Sequence, residues 1–499
     1  MGYHPRRETL RRLAGRLVLP TALAMAIAAQ PTALASAAHS AGPVVLAPDA
    51  PPNRTDDFDL LQERRTIRVL VPYSRTFFHI DHGRQKGVTH EVGIAFERWL
   101  NKRYPRKGGS LGWHVMFIPV ARDQLIPSLV RGVGDIAAGG LVEGDRPRFG
   151  EQVVAAPGSF RADPVLVNGP GGKPVGSLDQ LAGKEIAVPA MNSDFWELVE
   201  LSSQFSERGL QPIHLVPLAE GIEPEDLLEL VNAGTVPAAV VDRRVAQAWK
   251  PALGRIEIQD EVELDWGGQY AWVVRRGNPE LQRVLAAFFA GHRRGTRLDS
   301  GEIEAGRYLG TSASADELRS FRRLNRAFIA SAERYDLDPL MLMAQAFHES
   351  QFNQRARSRR GAVGVMQVLP STAADPNVRV SGVVASAEKN VEAASKYLRF
   401  LADTYLDDPS LTPENRMFML LAAYNAGPGN LQKVRRMTRE SGLDPDRWFG
   451  NVEKVAGRVL GRETLNYVNN VYKYYVAYRF AQDLEEERPL SLADGQGHR

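Results

Sequence analysis

Residues 344–372 read AQAFHESQFNQRARSRRGAVGVMQVLPST, and the organisation of the second half of the chain can be worked out from them. The stretch opens inside a helix expected over Pro339–Ser350. Its start is signalled by Asp338-Pro339, since proline at the first helical position forfeits no N–H that the helix needs. Leu342, Gln345 and Ala346 fall on the same side as Glu349, so this carboxyl is expected to emerge beside apolar surface rather than in open water. Desolvation raises the pKa of such a group and keeps it protonated near neutrality, as a general acid must be. Taken alone, a glutamate near a helix end reads as an ordinary solvated or salt-bridging side chain. His348-Glu349 invites a zinc reading, but Phe352 stands where the second histidine of a one-face pair would be, so no metal is expected. Ser358, Gly361, Ala362 and Gly364 make a loop whose small residues allow close backbone approach to a ligand. Gln367 follows with a donor and an acceptor, suited to sugar hydroxyl and N-acetyl groups. The plain alternative for this loop is a helix–helix connection.

Outward from this stretch, helical periodicity recurs over 316–335, 385–405, 413–425, 431–438 and 463–484, with strand-like runs almost absent. An all-α domain is therefore expected over 316–485, with a charged tail at 486–499 and a Gly-containing joint at 299–315 before it. Upstream the pattern differs. Strand-like runs at 66–72, 113–119, 135–138, 185–189 and 238–241 alternate with helical ones at 88–101, 124–131 and 225–231, which argues for α/β with mostly parallel sheets over 65–298. Residues 38–64 are Pro-, Ala- and Asp-rich and read as a linker. Residues 1–37 read as an export signal: Arg6, Arg7, Arg11, Arg12 and Arg16 precede the apolar run 17–29, and Ala33, Ala35 and Ala37 offer cleavage sites. An uncleaved N-terminal anchor is the alternative.

Composition removes whole classes of function. The chain of 499 residues contains no cysteine, which excludes disulfides, Cys-ligated zinc, iron–sulfur clusters, thiol nucleophiles and lipid attachment through a Cys. Its 62 basic and 59 acidic side chains leave +3, too little for a nucleic-acid footprint. Residues 319–485 carry 24 Lys and Arg against 18 Asp and Glu, an excess that suits an anionic polymer and equally a solvated surface. No cofactor is expected.

The ordered pieces are more specific than any residue in them. E-S-x-F-N at Glu349–Asn353, the serine nine places after the glutamate and G-A-x-G-x-M-Q at 361–367 are followed by A-Y-N-A-G-P-G at 423–429 and E-T-x-x-Y-V from Glu463. This series resembles the catalytic signature of soluble lytic transglycosylases, the goose-type-lysozyme-like enzymes of peptidoglycan. The resemblance implies that Glu349 is the single acid/base, with Ser358, Gln367, Tyr424 and Glu463 lining the glycan groove or supporting Glu349. It also implies cleavage between MurNAc and GlcNAc without water, ending in 1,6-anhydro-MurNAc. One departure is Asn353-Gln354, where the family often has Asn-Pro; it touches loop stiffness rather than chemistry.

The first half resembles the extracellular solute-binding proteins of polar amino-acid ABC transporters. The carrying residues are Ile67-Arg68-Val69, 87–96 (GVTHEVGIAF), 123–127 (DQLIP), 134–138 (GDIAA) with Gly140-Leu141, 178–188 (LDQLAGKEIAV), 234–241 before Asp242, and 271–275 (AWVVR). The resemblance implies two lobes closing on a ligand by a hinge. It points to Arg146 or Arg148 as the clamp for a ligand carboxylate and to Asp242 as the partner of an amino group; turn and surface charges are the plain alternative. Val142, Glu143 and Gly144 stand where such binders have a Thr-rich strand end, which speaks against a free amino acid and leaves a peptide-bearing wall fragment.

The expected whole is an α/β two-lobed periplasmic-binding-protein-like domain followed by an all-α lysozyme-like domain, the order found in modular membrane-bound lytic transglycosylases. Its partners would be peptidoglycan glycan strands and a muropeptide or peptide in the N-terminal cleft. Its place would be the periplasm, with peripheral contact to the outer membrane. The competing readings are a same-fold muramidase hydrolase and a non-catalytic wall-fragment receptor.

Overall fold

A computed structural model describes residues 53–81, 83–105, 112–143, 150–190, 192–218, 221–291 and 315–487. The export signal expected at 1–37, the tail from 488 and nearly all of the joint expected at 299–315 lie outside these residues. Twelve strands follow in order: β1 (Thr66–Pro72), β2 (His79–Asp81), β3 (Arg84–Lys86), β4 (His114–Val120), β5 (Ile136–Ala137), β6 (Val153–Arg161), β7 (Pro164–Asn168), β8 (Glu185–Pro189), β9 (His214–Leu218), β10 (Ala238–Asp242), β11 (Glu257–Ile258) and β12 (Gln269–Arg275).

Two five-stranded sheets divide the first half into two lobes, in the orders β4-β1-β5-β12-β6 and β11-β7-β10-β8-β9. β1 pairs in parallel with β4 and β5, and β8 with β9 and β10. The sheets are more mixed than the alternating pattern predicts. β12 runs antiparallel to β5 and β6, and β7 antiparallel to β10 and β11. The reason is topological: β6 and β12 carry the chain out of the first lobe and back into it on the same side. Where they meet, Ala162 donates its N–H to the Gly268 carbonyl at 2.8 Å, so the two interlobe connections are bonded to each other.

Residues read as linker up to 64 include a helix, Phe58–Arg64, capped by Asp57. Its Phe58 ring stacks on Trp113 with centroids 5.1 Å apart. Asp57 also accepts from Glu280 N at 3.0 Å and Leu281 N at 2.9 Å, so one carboxylate starts two helices. At the heart of the first lobe Arg68 donates to Asp135 from Nε (3.1 Å) and Nη2 (2.7 Å), while the Arg68 N–H reaches the same carboxylate at 2.9 Å.

The second half is helical. Helix Pro339–Ser350 is its axis, with every side chain from Leu340 to Phe347 buried. Around it stand Ala315–Tyr335, Ala387–Tyr405, Pro413–Ala426 and the last helix, Arg462–Glu487. Asp338 caps the axis helix by accepting from Leu340 N at 2.7 Å, and Tyr475 of the last helix donates to its other oxygen at 3.1 Å.

The two halves are packed together. Ala477 of the last helix belongs to the apolar core of the first lobe. Lys473 lies 3.6 Å from Glu97, and Tyr478 donates to the Gly83 carbonyl at 2.7 Å. A Cβ on Gly83 would come within 2.6 Å of Phe352 and 3.0 Å of Phe347, so the β2–β3 hairpin meets the helical domain at backbone range. Asp135 is fully enclosed. Asp135→Asn is expected to destabilise the protein by about 3–5 kcal/mol, because it leaves the buried Arg68 and Arg275 guanidinium groups without their countercharge. The midpoint and slope of a urea titration check this.

Candidate active site

Glu349 sits one residue before its helix ends. Gln351 and Phe352 adopt left-handed backbone (φ 54° and 63°), which stops the helix sharply and leaves Glu349 half-buried at its rim. Its Oε1 accepts from the Tyr467 hydroxyl at 2.7 Å, and that hydroxyl accepts from Gln345 Nε2 at 3.0 Å. Burial pushes the Glu349 carboxyl up to about 7, against the opposing pull of the Tyr467 hydrogen bond. The His348 ring meets Tyr467 edge-on, 5.1 Å between centroids, and burial lowers its pKa.

The loop after Glu349 is tied down on all sides. Ser350 donates to the Val365 carbonyl at 2.8 Å and accepts from Asn353 N at 3.0 Å. Gln354, at the position where proline is common, donates to the Val383 carbonyl at 2.9 Å and accepts from Val365 N at 3.2 Å, supplying stiffness by hydrogen bonds instead of a ring. The buried Asn390 accepts from Met366 N at 2.8 Å and donates to the Val363 carbonyl at 2.9 Å. Gly364 has φ 80°, and a Cβ there would fall 2.5 Å from Asn390 Nδ2, so only glycine fits.

The residues singled out from the sequence take different places. Tyr424 donates to the Met366 carbonyl at 2.8 Å and lies close enough to Glu349 for the carboxylate to raise its own pKa, which burial already lifts far above the usual range. Gln367 is half-buried with φ 47° and donates to the Gly364 carbonyl at 2.9 Å. Ser358 is exposed and accepts from Ala362 N at 3.0 Å, closing the turn at 358–362. Glu463 is exposed in the first turn of the last helix. Its neighbour Thr464 donates to Asn425 at 2.8 Å, and Tyr467, one turn further on, is the residue of that motif that reaches Glu349. Tyr467, Gln345 and Asn390 were not singled out as site residues. Tyr467 stood inside a quoted motif, and Gln345 is the one polar residue in the run from Leu340 to Phe347; nothing marked Asn390.

Between the lobes of the first half lies a cavity of about 430 Å³ with Phe77, Arg122, Asp194, Asp242, Trp266 and Tyr270 in its wall. Asp242 accepts from Arg244 N at 2.9 Å as a helix cap and from Asp163 N at 3.0 Å at the hinge. Its carboxylate thus already holds two amides. Arg122 is partly buried and paired with Glu223 of the other lobe. Arg146 and Arg148 lie outside the described residues.

These features have counterparts in known proteins. Residues 326–445 match the Transglycosylase SLT domain. Most of the chain is also similar to proteins named membrane-bound lytic murein transglycosylase F. The one from Actinobacillus succinogenes is 25% identical over 88% of this chain and 90% of its own length. That from Actinobacillus pleuropneumoniae serotype 5b is 27% identical over 86% and 88%. Solved structures similar to the first half include an ancestral arginine-binding protein bound to arginine (22% identity, 48% of this chain and 97% of that one, TM-score 0.38). The P235GK mutant of ArgBP from T. maritima is another (18%, 50% and 98%, TM-score 0.39). Among the described residues no helix is long and apolar enough to cross a membrane.

The raised Glu349 pKa has a consequence for stability. The folded carboxyl holds its proton up to about 7, the unfolded one only to 4.5, so between these values the folded state binds more protons. Stability therefore falls as pH rises through that window. Glu349→Gln is expected to flatten that decline, which melting temperatures of both proteins between pH 4 and 8 would reveal.

Proposed function

We propose that the chain is an exported lytic transglycosylase that cleaves the β-1,4 bond between MurNAc and GlcNAc of peptidoglycan, with Glu349 as its only acid/base. The observation that carries this reading is the single, hydrogen-bonded, proton-retaining carboxyl at the rim of a loop of small residues. Burial and the opposing Tyr467 hydrogen bond are the causes of its raised pKa. Ordinary glycosidases flank the bond with two, one as acid and one as base or nucleophile. With one, the reaction has to return its proton to the same group. Glu349 protonates the glycosidic oxygen as the bond from the MurNAc anomeric carbon breaks. The carboxylate then takes the proton of the MurNAc 6-hydroxyl as O6 closes onto that carbon. No water enters, and Glu349 ends as it began. Ser358, Gln367, Tyr424 and Glu463 are assigned to the groove walls or to support of the loop, Tyr424 through the Met366 carbonyl.

The two-lobed half is assigned a sensing role, with the cleft near Asp242 taking a muropeptide or peptide and with Arg146 or Arg148 as the carboxylate clamp. Periplasmic location with peripheral outer-membrane contact completes the reading. Support for sensing comes from one path of contacts. Glu225 of the second lobe accepts from Ser74 Oγ (2.8 Å), Arg75 N (2.5 Å) and Thr76 Oγ1 (2.7 Å) of the first. The β2–β3 hairpin begins three residues later and rests on the loop that follows Glu349, where Arg84 donates to Gln351. A ligand that binds the two lobe arrangements unequally shifts this brace.

Sacculi digested with the protein are expected to yield muropeptides with anhydro-MurNAc ends, absent with Glu349→Gln; mass spectrometry reads both. Reducing ends would make it a muramidase, and no products from either protein would favour a receptor. A peptide-bearing wall fragment is further expected to change the initial rate of the wild type but not of Glu225→Ala, and equal wild-type rates with and without it would remove the sensing role.

A further inference from the structure

Gln345 is fully buried in the most apolar helix of the domain, and its position is explained by one contact, the bond from Nε2 to the Tyr467 hydroxyl at 3.0 Å. Its Oε1 is buried without a hydrogen-bond partner. Turning the amide over would bury two N–H donors where that one acceptor now lies and would make Tyr467 donate to the glutamine oxygen, so the orientation with Nε2 toward the hydroxyl is the less costly one. A tyrosine hydroxyl has a single proton. When its oxygen receives the N–H of Gln345, the proton is directed along its other short contact, to Glu349 Oε1 at 2.7 Å. Oε1 is then occupied as an acceptor, and a protonated Glu349 carries its hydrogen on Oε2. In the opposite arrangement Tyr467 would donate to Gln345, and Glu349 would spend its proton on Tyr467 instead of on a substrate.

We infer that Gln345 is a positioning residue that, through Tyr467, keeps the transferable proton of Glu349 on Oε2, facing the glycosidic oxygen. The inference rests on the acid/base role given to Glu349 above. Titratable neighbours do not supply the effect. Tyr467 and Tyr424 are pushed far up by burial and stay neutral, and burial lowers His348, so its ring is neutral too. The bond chain from Gln345 through Tyr467 sets which oxygen is proton-bearing, and because Tyr467 donates to the carboxylate it also holds the Glu349 pKa below what burial alone would give.

The test uses the full-length protein with Gln345→Met and Gln345→Leu, two apolar replacements of different shape, beside Tyr467→Phe and the double variant Gln345→Met/Tyr467→Phe. Anhydro-product formation is followed against pH. The expected result is a kcat lowered by about tenfold or more with KM little changed. The alkaline limb should move to higher pH, by less than in Tyr467→Phe, and the double variant should be no slower than Tyr467→Phe alone. Carboxyl ¹³C NMR of Glu349 reads the same upward shift without substrate. A wild-type limb and kcat in both Gln345 variants would overturn the inference, as would an additive double variant. A loss of kcat that tracks the melting temperature with an unmoved limb would also overturn it, by making Gln345 merely structural. Absence of products from the wild type would instead count against the activity itself, and the NMR titration would still decide the role of Gln345.

Discussion

A carboxyl that keeps its proton near neutrality has to be enclosed by protein and still reach the surface, and most of the second half is arranged around that conflict. The axis helix resolves it by being buried along its length and by stopping immediately after Glu349. The stop depends on two consecutive residues in left-handed backbone, Gln351 and Phe352, a conformation that costs non-glycine residues about 1 kcal/mol or more each. Something has to hold them there. Phe352 is packed against Phe328 and Phe347, and the Ser350 hydroxyl ties the departing loop back to Val365. The geometry of the acid is thus inherited from packing several residues away.

Part of that packing comes from the other half of the chain. Gly83 presses its backbone against Phe352, Phe347 and Tyr478, so the loop beyond Glu349 is braced by a hairpin of the two-lobed domain. The same hairpin is preceded by the residues that hold Glu225 of the second lobe. Trp249 adds a hydrogen bond to Thr76 at 3.1 Å, and Arg75 lies over its ring. The contacts between the lobes and the contacts to the loop after Glu349 thus lie close together in the chain, between Ser74 and Gly83.

How much of this the sequence revealed depended on whether the signal was local. Helix Pro339–Ser350 could be placed to the residue because its cap, its proline and its apolar run are all written side by side. The strands at 66–72 and 185–189 were equally legible, being short apolar runs bounded by turn residues. Strand direction was not, since whether β7 and β12 run with or against their neighbours depends on which lobe the chain enters next. The helix at 58–64 was hidden in a Pro- and Asp-rich stretch because, beyond its local Asp57 cap, it is held by Phe58 lying on Trp113 and by Asp57 reaching Glu280 and Leu281, which are tertiary facts. In the site, Glu349 and Tyr424 were visible in motifs. Gln345 and Asn390 were not assigned roles, because a buried amide has meaning only through the partner that folding brings to it.

If Glu349 acts twice, as proposed, its immediate neighbours have to leave its proton free to move. A nearby cation would ionise Glu349 before it could donate, and a nearby carboxylate would hold the proton too firmly to release it. Glu349 instead meets the phenol of Tyr467, which the Gln345 amide orients, and the Tyr424 phenol nearby is bonded to the Met366 carbonyl, so these groups orient without adding charge. With burial lifting the pKa to about 7 and one phenolic hydrogen bond opposing it, the acid and its conjugate base lie close in free energy at neutral pH. Giving up a proton and recovering it a moment later are then comparably easy, which is what the proposed reaction with a single carboxyl and no water requires.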